Sequence, residues 1–156
     1  MTTNMTQSLD DPQVGNLATT INASGFTKTL INNLPAYRRG LSANRRGLEV
    51  GMAHGYFLYG PFALLGPLRN TELASIAGLL AAVGLITVLT IGLSLHGAVR
   101  TEKATATLTT PQPPVDFATT EGWSEFASGF LIGGCGGAFF AYFLATTPLL
   151  QAFFNR

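Results

Sequence analysis

Glu49 and His54 stand five positions apart in the run Gly47-Leu48-Glu49-Val50-Gly51-Met52-Ala53-His54-Gly55-Tyr56-Phe57, in surroundings otherwise free of charge. A neutral imidazole has one donor and one acceptor, and a neighbouring main-chain carbonyl satisfies only the donor. The free lone pair suits a metal centre carried in an apolar macrocycle; a histidine that only packs is the competing reading. On a helix, five residues turn the side chains apart by about 140° and separate them by about 7.5 Å along the axis. One mononuclear metal cannot take both, so each residue points to a ligand of its own. For Glu49 the alternative is an interfacial carboxylate paired with Arg45 or Arg46.

His96 is the only other histidine. It precedes Arg100 by four residues, which predicts the same side of a membrane as His54 and a comparable depth, His54 lying about 12 Å below a helix start near Arg46. Histidines facing each other from antiparallel neighbours could hold a b-type haem axially, and His96 could equally cap its helix end. A haem-binding or transport-associated small membrane subunit using His54 and His96 is therefore the alternative function. Enzyme chemistry has no basis here: there is no nucleophile elbow, phosphate loop or cysteine–histidine metal spacing. A transporter is poorly supported too, because the three polar candidates recur in no internal repeat.

These residues need helices in lipid to hold them. The runs 73–99 and 126–155 are uncharged, and at about 1.5 Å per residue either exceeds a hydrocarbon layer of about 30 Å. The stretch 47–66 is a third candidate, and an ionisable group inside a span marks a functional site. Only 11% of the residues are charged, against about 25% in soluble domains. The expectation is an all-α membrane protein with three transmembrane helices, at about 46–66, 73–99 and 123–147. An extended polar segment, 1–44, precedes the three-helix domain, 45–156. The N-terminus lacks the regions of a secretory signal, so no cleaved leader is expected. Lys28, Arg38, Arg39, Arg45 and Arg46 put the N-terminus on the cytoplasmic side, and three crossings put Arg156 opposite. The 100–122 connection, with Arg100 and Lys103, is Thr-rich and then Pro-rich, which predicts an extended or mobile loop. A net charge of +1 gives no basic surface for nucleic acid. Cys135 is the sole cysteine, so no intrachain disulfide forms.

Small residues recur every fourth position: Gly47, Gly51, Gly55; Ala74, Gly78, Ala82; Gly129, Gly133, Gly137. Such stripes let helix backbones meet, or clear space for a flat ring. Phe139, Phe140, Tyr142 and Phe143 form an aromatic cluster that reads as lipid-facing or packing surface, with a pigment cradle as the other reading.

Three blocks carry a resemblance: Pro35-Ala36-Tyr37-Arg38-Arg39-Gly40-Leu41-Ser42, Arg46 through Phe57, and Gly60-Pro61-Phe62 through Leu65-Gly66-Pro67-Leu68-Arg69. With Glu121-Gly122-Trp123-Ser124-Glu125-Phe126, and over most of the chain from about Asn33, they resemble photosystem I reaction-centre subunit XI. The resemblance implies a non-enzymatic accessory subunit in the thylakoid membrane, N-terminus stromal or cytoplasmic and C-terminus lumenal. Its partners would be the photosystem I core and small subunits, neighbouring copies of itself across monomers, and the lipid bilayer. It implies that Glu49 and His54 supply axial ligands to chlorophyll a magnesium, with β-carotene along Phe-rich surfaces. Magnesium already held by four ring nitrogens needs only one further base. Trimer-forming relatives can carry an aspartate near Asn70 that helps hold calcium at the interface; an amide contributes no charge, which leaves that site in doubt. Relatives are associated with tyrosine at His96, so this residue is either an extra pigment ligand or a packed histidine.

Overall fold

The computed structural model describes residues 19–99 and 106–148. The N-terminal tail 1–18, Arg100, Lys103 and Arg156, on which part of the topology reading rested, lie outside the described residues. Helix α1 (Gly25–Asn33) falls within the stretch read as a polar extension. Ser24 caps it by accepting from the Thr27 amide at 3.1 Å, and it ends at Leu34, whose extended ψ of 146° is the conformation that the following Pro35 imposes. Helix α2 (Ala43–Leu65) is capped by Ser42 and continues through Pro61. Helix α3 (Ala74–Val99) follows a short turn. A 3-10 turn (Val115–Ala118) then leads into α4 (Thr120–Thr146), capped by Thr119, whose hydroxyl accepts from the Gly122 amide at 3.0 Å. The described residues form no strand.

Register shows how the long helices run. A methyl group added at Gly47, Gly51 or Gly55 would overlap the carbonyl oxygen of Phe126, Phe130 or Gly134 in turn. One added at Gly129, Gly133 or Gly137 would overlap the carbonyl of Asn44, Leu48 or Met52. Both series ascend together, so α2 and α4 are parallel neighbours whose glycine faces interlock. α3 runs against them: Gly78 meets Ala63 of α2, whereas Gly97 meets Trp123 of α4. The glycine stripes of α2 and α4 are thus backbone contacts, and none of their six glycines clears space for a ring beside His54. Below them lies the core of Tyr59, Ala63, Leu79, Ala82, Ala138 and Ala141. Ile86 is fully buried and fills the space that a side chain at Gly134 would need.

Among the described residues two helices, not three, have both the length and the apolarity of a membrane span. They are α3, at a mean hydropathy of 2.4, and α4, at 1.5. α2 has 23 residues, about 35 Å, but Glu49, His54, Tyr56, Tyr59, Pro61 and its glycines lower its hydropathy. The described part of the connection is also neither extended nor loose. Thr107 and Thr110 close a turn through their hydroxyls at 2.7 Å, Thr110 is buried, and Asn32 donates to the Thr109 carbonyl at 2.7 Å.

The same substitution at two glycines should therefore act with opposite sign. Gly133→Ala drives a methyl into the Leu48 carbonyl and should destabilise by about 1–3 kcal/mol. Gly84→Ala, on α3 with nothing within 4 Å, should stabilise by about 0.5–1 kcal/mol through helix propensity. Thermal unfolding midpoints in detergent micelles, falling for the first and holding or rising for the second, check both.

Candidate functional site

Because the glycine face of α2 is pressed on α4, the positions beside it open to either side. Glu49, Met52, Ala53 and Tyr56 line one groove, together with Phe140. Val50 and His54 line the other, about 560 Å³ in volume, with Leu89, Leu93 and His96 of α3 and Phe117, Trp123, Phe126 and Phe130. This volume is within the range of small-molecule and cofactor sites. The divergence of Glu49 and His54 read from helix geometry is realised as two separate grooves.

His54 Nδ1 lies 2.8 Å from the Val50 carbonyl oxygen. A carbonyl can only accept, so Nδ1 carries the proton and Nε2 keeps its lone pair. Phe130 packs edge-on against the ring at a centroid separation of 5.5 Å and holds its plane. A hydrogen bond that fixes the tautomer while the second nitrogen stays free is how proteins prepare a histidine to bind a metal.

Glu49 is engaged differently. Arg38 donates to its Oε2 at 2.5 Å, and Arg45 Nε stands 3.4 Å from its Oε1. The expected partner Arg45 is present, but Arg46 is not; Arg38, eleven residues away and not foreseen, takes its place. A carboxylate has about four lone-pair positions, so one arginine on each oxygen leaves the group able to accept further bonds.

Arg46 instead turns inward. It is buried, and its Nη1 donates to the carbonyls of Pro35 (3.1 Å), Ala36 (3.3 Å) and Arg38 (2.5 Å). Its Nε has no hydrogen-bond partner and faces Asp116 Oδ2 at 4.0 Å. This guanidinium ties the segment before α2 to the 3-10 turn before α4. Arg39 adds a bond to Gln112 at 2.6 Å. A pair of basic residues near a helix start was legible as a topological signal; its use as a latch depends on Asp116, seventy residues away.

His96 does not share the depth of His54. It sits three residues before the end of α3 against Trp123, with ring centroids 4.7 Å apart. His54, eleven residues into α2, rests on Phe130. Trp123 and Phe130 are seven residues apart on α4, about 10 Å along the axis. The two imidazoles thus rest on different turns of α4, an offset that does not favour one iron held between them. Asn70 is exposed in the turn between α2 and α3, and no group of three or more His, Cys, Asp or Glu side chains able to hold a metal occurs among the described residues.

Comparison with known proteins bears on the same residues. The family model of photosystem I reaction centre subunit XI (PsaL) matches residues 4–149. The chain belongs to this family. The match starts well before Asn33, so it includes most of the N-terminal segment. Among relatives, photosystem I reaction center subunit XI of Picosynechococcus sp. is 73% identical over 132 residues, covering 85% of this chain and 87% of the relative. The subunit of Crocosphaera subtropica is 67% identical over 134 residues, 86% of each chain. That of Synechococcus elongatus is 64% identical over 142 residues, covering 90% of this chain and 86% of the relative. Membership sets this photosystem I subunit XI homologue among structural components of a photosynthetic reaction centre, not among enzymes.

Replacing Arg46 tests the latch. Arg46→Met strands three carbonyls at about 1–3 kcal/mol for each buried one, and trypsin should cut after Arg38 or Arg39 markedly faster than in the native protein. Arg46→Lys should recover only part of the protection, since an ammonium is a point donor without the planar fork.

Proposed function

We propose that this chain is an accessory subunit of photosystem I in the thylakoid membrane, that it crosses the membrane three times, and that it holds antenna chlorophyll a at His54 and at Glu49. The observation that carries the reading is the His54 imidazole, with its proton committed to the Val50 carbonyl and its Nε2 free on an aromatic-lined groove. Bound there, a chlorophyll would absorb light and pass on excitation. The chain's part is to supply one Lewis base to the magnesium, to exclude water with Phe126, Phe130, Leu89 and Leu93, and to hold the imidazole plane.

The fit at Glu49 is of another kind. Its carboxylate has Arg38 and Arg45 as counter-charges and a lone pair left over, so a magnesium there would be held beside two guanidinium groups rather than in a wholly apolar pocket. β-Carotene is assigned to the outer face of α4, where Phe139, Phe140 and Phe143 are exposed. Membrane crossing by α2 is supported by its length and by its packing against two helices that qualify as spans. Exposed Phe57, Leu64 and Leu65 give it an apolar outer face.

Charge supports an orientation. Arg38, Arg39, Arg45 and Arg46 gather at the end where α2 and α4 begin, and the opposite turn carries Arg69 with Glu72. The positive-inside rule puts the first end in the cytoplasm or stroma and the C-terminal end of α4 in the lumen. Contacts with the photosystem I core and with copies in neighbouring monomers belong to the same proposal, supported by the family and by the exposed apolar faces of the helices.

His54→Leu in the intact photosystem I complex tests the central assignment. The helix should still insert, since leucine favours both helix and lipid, while one chlorophyll disappears from a density map of the groove and the pigment count per complex falls accordingly. An unchanged pigment beside Leu at position 54 would sink the assignment.

A further inference from the structure

The groove that His54 opens on contains a second imidazole with nothing to do. His96 lines the same cavity, and among the described residues neither of its ring nitrogens has a hydrogen-bond partner. It is nonetheless well placed. Trp123 meets it edge-on at 77°, and the indole is itself anchored because its Nε1 donates to the Phe117 carbonyl at 3.0 Å. The bonding needs of Trp123 are met, so His96 is positioned by the contact without being satisfied by it.

An imidazole always carries at least one N–H, and a donor left unpartnered by the chain can bond an acceptor on whatever occupies the groove. His96 is exposed, and of the groove lining Leu93, Phe117 and Trp123 are apolar while Tyr37, Thr107 and Thr110 carry hydroxyls. An occupant of the groove with an acceptor oxygen would supply a partner. The rings that His54 and His96 rest on, Phe130 and Trp123, stand about 10 Å apart along α4, a spacing suited to the metal at the centre and a carbonyl at the edge of one flat macrocycle. Chlorophyll carries its metal at the centre and ketone and ester carbonyl oxygens at its edge.

We propose that His96 donates a hydrogen bond to a peripheral carbonyl oxygen of the chlorophyll whose magnesium His54 holds. The inference rests on the reading that a chlorophyll occupies this groove. Axial ligation alone fixes the height of a macrocycle but leaves it free to rotate about the nitrogen–magnesium axis. A donor at the far end of the groove selects one rotation. If the carbonyl is conjugated with the ring, the bond also draws electron density toward that oxygen, which weakens the C=O bond and lowers the energy of the absorbing transition. His96 is thus a positioning residue, and the magnesium ligand is His54.

The test uses intact photosystem I carrying native subunit, His54→Leu, His96→Phe or His96→Gln. A map of the native complex should place a pigment oxygen about 2.7–3.2 Å from a His96 ring nitrogen. His96→Phe keeps an aromatic ring against Trp123 and removes the donor. The pigment should stay over His54 at full occupancy, one carbonyl stretch should move to higher frequency, and, for a conjugated carbonyl, one absorption component should shift to the blue. His96→Gln, which retains a donor, should restore the stretch. Loss of a whole pigment in His96→Phe would make His96 a magnesium ligand and overturn the proposal. So would a carbonyl spectrum and pigment orientation identical to native. His54→Leu separates the two levels of argument: if it removes the pigment while His96→Phe is silent, only the role of His96 fails. If the pigment survives His54→Leu, the occupancy reading itself falls.

Discussion

The backbones of α2 and α4 touch, and most of the molecule's geometry follows from that contact. Six glycines, three from each helix, sit where any Cβ would strike a carbonyl of the facing helix. In lipid there is no hydrophobic gain from bringing two leucine faces together, so association depends on close van der Waals contact. The interlock also fixes rotation. With Gly47, Gly51 and Gly55 turned to α4, Val50 and His54 must face one side and Glu49 and Ala53 the other. The separation of the two candidate ligands into two grooves is a consequence of which face of α2 is glycine.

A second constraint acts on polar atoms that have no water to meet. On α3, Thr87, Thr90 and Ser94 return their hydroxyl bonds to the carbonyls of Val83, Ile86 and Thr90, so the apolar helix carries them without an unsatisfied donor. His54 treats Val50 in the same manner but has a second nitrogen, and that surplus valence distinguishes it from the hydroxyls. Arg46 is satisfied on one face by three carbonyls and leaves Nε toward Asp116. The position of the N-terminal segment is set by a charged group at a helix end, where burial is shallow enough to be tolerated.

Much of this was legible in the chain itself. Uncharged runs longer than the bilayer is thick favour helices, because every backbone group must bond internally; α3 lies within such a run, and α4 lies in one from Phe126 onward, its first turns carrying Glu121 and Glu125. Four-residue spacing of small side chains announced close helix contact, since that spacing returns to one face each turn. The angular divergence of Glu49 and His54 followed from helical pitch alone. α1 escaped notice because nine residues carry too weak an apolar period against the polar residues around them. Its boundaries, Ser24 and Pro35, were nevertheless readable as cap and stop.

What the sequence could not contain was pairing between distant segments. Which helix meets the glycines of α2, whether Glu49 takes Arg38 or Arg46, and whether His96 stands level with His54 all depend on register between elements. Register is decided by the sum of contacts over whole faces, not by any local preference. The chain by itself determined the long helices, the ionisable groups inside them and the family, because each depends on residues near in sequence. Tertiary structure alone decided that His54 and His96 share a groove at different levels, since that relation passes through α4, which touches them both.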